Sequence, residues 1–253
     1  MPDFWRGYAT QHIRAKRNKC ECVALNYSLF DIHFSLNRNL AQLNFCLQGV
    51  IMNKFILASA SPRRKELLET AGYQFDIIPS CCEEIVPAGL TPKDTVEGLA
   101  YQKALDVYAD HPDSVVLGAD TVVCFDGKIL GKPESEEDAV RMLTMLSGQT
   151  HEVRTGIALL GKGIEFVSSE AAMVTFFQLS EEQIRNYVAT GEPMDKAGAY
   201  GIQGKGAVLV RSVLGDYFNV VGLPIATVAR ALASLGIHGD VIWKSDIYQT
   251  QNE

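Results

Sequence analysis

From residue 54 onward the chain is organised in alternating apolar and polar blocks. Phe55-Ile56-Leu57 is a short apolar run that leads through Ala58-Ser59-Ala60 into a helical pattern. Ser61 suits the N-cap, Pro62 the first helical position, Leu67, Leu68 and Ala71 an inward face, and Gly72 the stop. Residues 75–79 read as a second strand. Thr91 or Asp94 opens a helix to about Ala109, with Val96, Leu99, Ala100 and Ala104 along its buried stripe. The most buried-looking run, 114–125, predicts a strand in a sheet covered on both faces, and Asp126-Gly127 turns it back into 128–130. Ser135 caps a helix to Ser147, with Ala139, Met142, Leu143 and Leu146 at helical spacing. Strands follow at 151–160 and 164–179. A capping box, Ser180 to Gln183, then opens a helix to Thr190. Residues 207–214 and 217–221 read as a hairpin around Gly215-Asp216. A final helix runs from Leu223-Pro224 to Leu235.

Several polar residues break this pattern. Arg63-Arg64-Lys65 stands at a helix N-terminus, where positive charge is unfavourable by about 0.3–1 kcal/mol per group. With the hydroxyls of Ser59 and Ser61 the turn resembles a phosphate cradle; a solvated basic turn accounts for the same residues. Asp120 interrupts the most apolar strand, and a carboxylate there must be paired, metal-bound or facing a cleft. The neighbouring Gly118 and Ala119 leave room for a ligand against the backbone. Lys103 sits at the edge of a buried stripe, either reaching a cleft or covering apolar surface. Glu83-Glu84 and Lys132 lie in loops. Residues 192–206 hold too many small residues for a helix or long strand, and read as an ordered, ligand-facing wall.

Composition narrows the partners. At 47% hydrophobic and 21% charged, the 253 residues suit a globular protein, and a net charge of −7 disfavours a broad nucleic-acid or acidic-membrane surface. Any anion site must therefore be a local basic pocket for a small ligand. The six cysteines show no C-x-x-C pair and no zinc spacing with histidine, so reduced thiols in a cytoplasmic protein are expected, with Cys81-Cys82 structural. No run approaches the roughly 18 apolar residues of a membrane span. There is no Walker loop, no strand-linked G-x-G-x-x-G and no G-x-S-x-G elbow. Residues 1–51 have weak periodicity and read as a separate piece: a flexible extension, a small docking element or, favoured because Met52-Asn53-Lys54 looks like a natural chain start, an upstream start or added sequence. Residues 52–237 form one domain, and 238–253 a tail.

Taken together, Ser59-Ala60-Ser61-Pro62-Arg63-Arg64, Leu117-Gly118-Ala119-Asp120-Thr121, Gly131-Lys132-Pro133, Leu146-Ser147-Gly148 with His151, 195–204 and Val221-Gly222-Leu223-Pro224 strongly resemble the Maf family of nucleoside-triphosphate pyrophosphatases. The resemblance runs from about Met52 to Ile237. It implies an α/β fold, an elongated mixed sheet flanked by helices with a deep cleft, similar to inosine-triphosphate pyrophosphatases, and commonly a homodimer. It also implies attack of water on the α-phosphorus of a nucleoside triphosphate. Asp120 matches the family's proton acceptor; Arg63, Arg64, Lys103 and Lys132 match its phosphate-binding cations. Glu84 with Asp120 matches carboxylates that hold Mg²⁺ or Mn²⁺, so Asp120 is matched both as base and as ligand.

The form Gly201-Ile202-Gln203-Gly204 resembles the dTTP/UTP branch of that family, in which the positions of Arg63, Thr121 and Gln203 bear on base choice. A glutamine amide accepts from N3–H and donates to O4 of thymine or uracil. Modified pyrimidine triphosphates and a house-cleaning role follow from the same resemblance. Two rivals stand beside it: a non-catalytic nucleotide-sensing regulator of septum formation, and a purine (ITP/XTP) pyrophosphatase.

Overall fold

A computed structural model describes residues 54–241. The expected extension at 1–51 and the tail beyond 241 lie outside the described residues. Strands β1 (Phe55–Leu57), β2 (Phe75–Ile77), β3 (Val116–Phe125), β4 (Lys128–Leu130), β5 (Thr150–Gly161), β6 (Ile164–Phe176) and β7 (Val210–Leu214) build one sheet of order β2-β1-β3-β5-β6-β7, with β4 also on β3. Helices α1 (Pro62–Thr70), α2 (Pro92–Tyr108), α3 (Glu136–Leu146), α4 (Glu181–Val188), α5 (Tyr217–Val221) and α6 (Ile225–Ala233) flank it. The sheet is mixed: β1 runs parallel to β2 and β3, and the other pairs are antiparallel. The expected mixed α/β architecture is what the chain adopts.

One edge of β3 positions everything functional. β5 pairs with β3 from Val116 to Cys124, so β1 and β4 must share the opposite edge. β1 takes Val116 and Leu117, and β4 takes residues 123–125. The edge between them, Gly118 to Val122, is left without a ladder partner, and the sheet is split there. Side chains from both faces of β3 reach this split.

Each face has its own core. Leu57, Leu117, Ile157 and Leu159 pack with α1 and α6 residues such as Leu68, Val228 and Leu232. On the other face, Ile56, Val116 and Ala158 pack with Ala100, Ala104 and Leu105 of α2. A third cluster joins α3 and α4 through Leu143, Leu146, Ile184 and Val188. The caps follow local chemistry. Thr91, not Asp94, caps α2, accepting from the Asp94 N–H at 3.1 Å; Ser135 caps α3, and both halves of the Ser180–Gln183 box form.

Four expectations need correction. Ser61 has the extended backbone of an N-cap but no capping side-chain bond; its own N–H donates to Ser59 Oγ at 3.2 Å. Gly118 does not open the backbone to a ligand: a Cβ there would overlap the Ala100 carbonyl and the Ala104 N–H, so its small size lets α2 approach the sheet. β6 stops at Phe176 because the Leu179 N–H turns back to Ser147 Oγ at 2.8 Å. Residues 217–221, read as the second strand of a hairpin around Gly215-Asp216, form helix α5. Asp216 caps it by accepting from the Phe218 N–H at 2.8 Å. The helix turns Asn219 fully inward, where it accepts from the Thr155 N–H and donates to the Val153 carbonyl. Three buried hydrogen bonds at Asn219, counting the Thr155 hydroxyl on its carbonyl, outweigh a preference worth up to about 1 kcal/mol.

Gly118→Ala should destabilise the fold by about 1–3 kcal/mol through overpacking against the α2 backbone, read as a lower urea midpoint. An unchanged midpoint would show that α2 is free to move off the sheet.

Candidate active site

The split in the sheet opens into a cavity of about 930 Å³, within the size range of ligand sites. Ser59, Ser61, Arg63, Arg64, Glu84, Lys103, Asp120, Thr121, Lys132 and Gln203 line it, whereas Lys65, Glu83, Gly118 and Ala119 do not. The carboxyl end of β1 and the start of α1 form one wall, the open edge of β3 the floor, and residues 195–203 the facing wall.

At the floor, Asp120 Oδ1 receives the Lys103 ammonium at 2.5 Å, and Glu84 Oε1 receives the same ammonium at 2.8 Å. Even-numbered β3 positions face α2, so Asp120 meets a lysine carried on that helix. Its side chain is only 13% exposed, which fits the expectation that a carboxylate in this strand must be paired. Burial disfavours the Lys103 ammonium, but the Asp120 charge and the hydrogen bonds from both carboxylates more than offset this, and its pKa is raised. Lys103 therefore reaches the cleft rather than covering apolar surface. The loop bearing Glu84 is held by two residues the sequence did not single out. Asp106 accepts from Ser80 Oγ and the Cys81 N–H at 3.0 and 2.9 Å, and the Gln102 amide exchanges two hydrogen bonds with the Ile85 backbone. Cys81 is exposed and Cys82 half-buried, both as free thiols.

The two arginines of α1 separate. Arg64 is half-buried, donating to the Gly222 carbonyl at 2.8 Å, to Ser59 Oγ at 3.1 Å and to Thr121 Oγ1 at 3.2 Å. Thr121 in turn contacts Thr155 Oγ1 at 2.9 Å, and Thr155 donates to the Asn219 carbonyl. Burial lowers the Arg64 pKa against the pull of Asp120. Arg63 is likewise half-buried and lines the cavity, and Lys132, also lining it, is exposed. Gln203 is exposed on the opposite wall.

That wall is made of short 3-10 turns, Glu192–Asp195, Ala197–Ala199 and Lys205–Leu209. Sequence reasoning marked the stretch but not its organisers. The Lys196 ammonium lines the cavity while donating to Asp195 Oδ1 at 2.6 Å and to the Glu192 carbonyl at 2.8 Å. The Glu192 carboxylate accepts from the Lys205 and Gly206 N–H groups at 2.7 and 3.0 Å. An acidic residue beside Pro193 was the available signal, and it reads equally well as a solvated helix end.

The Maf-like protein family profile matches residues 54–235, well over half of the chain and all of the elements just described. This chain belongs to the Maf family. A Bacillus cytotoxicus protein named dTTP/UTP pyrophosphatase is 55% identical over 181 residues, covering 72% of this chain and 95% of its own. A Bacillus cereus protein of the same name is 51% identical over 190 residues, 75% of this chain and 94% of its own. Among solved structures, the Ham1 protein of Staphylococcus aureus aligns over 49% of this chain and 71% of that one at 15% identity, with a TM-score of 0.33, too low to carry an argument.

In this Maf chain the donor set for a cation is small. Among the described residues no group of three or more His, Cys, Asp or Glu side chains is placed to hold a metal. Glu84 and Asp120 already converge on one point, the Lys103 ammonium. Two carboxylates completed by phosphate oxygens and water fit Mg²⁺ or Mn²⁺, which favour few protein ligands and hard oxygen donors.

The Maf wall is anchored to the sheet by a buried pair. His151 Nε2 and Tyr200 Oη lie 2.7 Å apart, each ring edge-on to Phe176, and His151 Nδ1 has no partner among the described residues. Burial pulls the His151 pKa down from 6.5 to about 4. A neutral folded-state imidazole with a depressed pKa contributes stability that is complete above 6.5 and lost as pH falls toward 4. The loss should be on the order of 3 kcal/mol. Urea unfolding of wild type and His151→Phe at about pH 7 and about pH 4.5 checks this. The wild type should lose more stability than the variant; equal losses would contradict the assignment.

Proposed function

We propose that this chain hydrolyses dTTP and UTP to the nucleoside monophosphate and pyrophosphate. The observation that carries the proposal is Asp120, a carboxylate on an open strand edge, paired with Lys103 inside a cavity ringed by Arg63, Arg64 and Lys132. Relatives above 50% identity bearing the name dTTP/UTP pyrophosphatase support the same activity.

The chemistry follows from charge. A triphosphate entering the cleft meets Arg63, Lys132 and Lys103, which neutralise it and hold the α-phosphorus over the β3 edge. Displacement at phosphorus is then mostly positioning plus electrostatics. Lys103 engages Oδ1 of Asp120, and Oδ2 is the acceptor for the proton of the attacking water. Arg64 is already committed to Gly222, Ser59 and Thr121, so it acts on the phosphates through the charge it holds at the cradle. Glu84 with Asp120 would hold Mg²⁺ or Mn²⁺. When bound, the cation neutralises phosphate charge and moderates the basicity of Asp120. Gln203 faces the base and pairs with N3–H and O4 of uracil or thymine, with Arg63 and Thr121 setting that end of the cleft.

A homodimer in the cytoplasm completes the proposal. Val208, just before strand β7, and Leu214, its last residue, are 78% and 76% exposed, apolar surface that a second copy would cover. Among the described residues no helix is long and apolar enough to cross a membrane.

Asp120→Asn should lower pyrophosphate release from dTTP by about 10²–10⁴-fold while calorimetric titration still registers nucleotide binding. Unchanged turnover would remove Asp120 from catalysis, and intact binding without turnover in the wild type would favour a nucleotide sensor.

A further inference from the structure

The turn carrying Gln203 has no regular secondary structure to hold it, yet base discrimination asks for an amide fixed within a fraction of an ångström. Its restraint lies underneath. Glu192 Oε2 accepts from the Lys205 N–H at 2.7 Å, and Oε1 accepts from the Gly206 N–H at 3.0 Å and the Tyr187 hydroxyl at 2.9 Å. The same Tyr187 oxygen accepts from the Gly201 N–H at 3.2 Å. One carboxylate and one phenol thus grip the chain on both sides of Ile202-Gln203, two residues before the amide and two to three residues after it.

The glycines fit this grip. A Cβ on Gly204 would lie 2.5 Å from a Glu192 carboxylate oxygen, and one on Gly206 would lie 2.7 Å from both the Gly201 carbonyl and the Tyr187 hydroxyl. Their absence of side chain lets the turn close over the carboxylate. The network is anchored on both sides: Tyr187 is buried on α4, and the Glu192 carbonyl takes the ammonium of Lys196, which lines the cavity, at 2.8 Å. Burial works against an ionised Glu192. The two N–H groups and the Tyr187 hydroxyl outweigh it and lower the Glu192 pKa, so the acceptor form that the turn requires is the one favoured.

We propose that Glu192, acting with Tyr187, is the positioning residue for substrate choice, fixing the height of the Gly201–Gly206 turn so that the Gln203 amide meets the edge of a pyrimidine base. The inference rests on the dTTP/UTP reading of the site. Neither residue touches substrate; both act through Gln203. The amide of Gln203 by itself could rotate to suit cytosine, and a turn free to shift would let it do so. Locking the turn converts a permissive amide into a selective one.

The test uses the full chain with Mg²⁺ and measures pyrophosphate release from dTTP, UTP, CTP and ITP for wild type, Tyr187→Phe, Glu192→Gln, Gln203→Ala and the Glu192→Gln/Gln203→Ala pair. Tyr187→Phe and Glu192→Gln should lower the dTTP-to-CTP ratio of kcat/KM by about 10-fold or more, mainly through KM for dTTP. On the Gln203→Ala background, Glu192→Gln should change that ratio by less than about twofold, because the two residues act as a unit. An unchanged ratio, an equal loss of kcat on all four nucleotides, or full additivity with Gln203→Ala would overturn the inference. Should Glu192→Gln not fold, Tyr187→Phe, which removes only a hydroxyl, decides on the same ratio. A wild type without preference for dTTP or UTP overturns the substrate reading itself. A wild type with that preference, and variants that keep it, overturn the inference alone.

Discussion

The ion pair between Lys103 and Asp120 is the constraint around which the rest is arranged. A carboxylate in the middle of an apolar strand cannot stay charged without a close partner. Supplying that partner from α2 requires the helix to sit almost on the sheet, which Gly118 and Gly156 permit: a Cβ on Gly156 would overlap the Val96 carbonyl as one on Gly118 would overlap that of Ala100. Close packing of α2 and the charge at the floor of the cleft are therefore one feature. The second carboxylate on Lys103, Glu84, ties the 79–85 loop into the same point, with Asp106 and Gln102 holding the loop from behind. The split edge of β3 then exposes this charge to a ligand instead of burying it in a ladder.

The basic start of α1 has a two-part explanation. Arg64 offsets its unfavourable place at the positive end of the helix by donating to the Gly222 carbonyl and to two hydroxyls, and it joins α1 to α5 and β3. Gly222 itself ends α5 with φ of 124°, a conformation that favours glycine and turns its carbonyl toward the guanidinium. Arg63, one residue earlier, makes no such hydrogen bonds among the described residues and lines the cavity. Arg64 is therefore part of the frame of the cradle.

Much of the fold was legible because its signals are local. Helical spacing in α3, the capping box of α4 and the apolar run of β3 each carry their own evidence, and Asp120 announced itself as a charge where none belongs. What was hidden depended on distant partners. The stretch 217–221 has strand-like composition, but Asp216 caps it and Asn219 finds three buried partners on β5, and no local pattern encodes those bonds. Gly118 looked like space for a ligand because the approach of α2 is invisible from β3 alone. Glu192 was not singled out because the N–H groups it collects lie 13 and 14 residues away. Candidate site residues such as Asp120 and Arg63 stood out as charges in unexpected places; Asp106 and Gln102, which hold the neighbouring loop, are ordinary in sequence and unusual only in space.

Catalysis in this account is attack of water on the α-phosphorus, with Asp120 as proton acceptor and pyrophosphate as leaving group. Turnover of dTTP in ¹⁸O-enriched water, with both products analysed by mass spectrometry, reads the site of attack directly. The account predicts that the label enters dTMP and is absent from pyrophosphate. Label in the pyrophosphate would place the attack on the β-phosphorus and contradict the geometry assigned to Asp120 and its cationic ring.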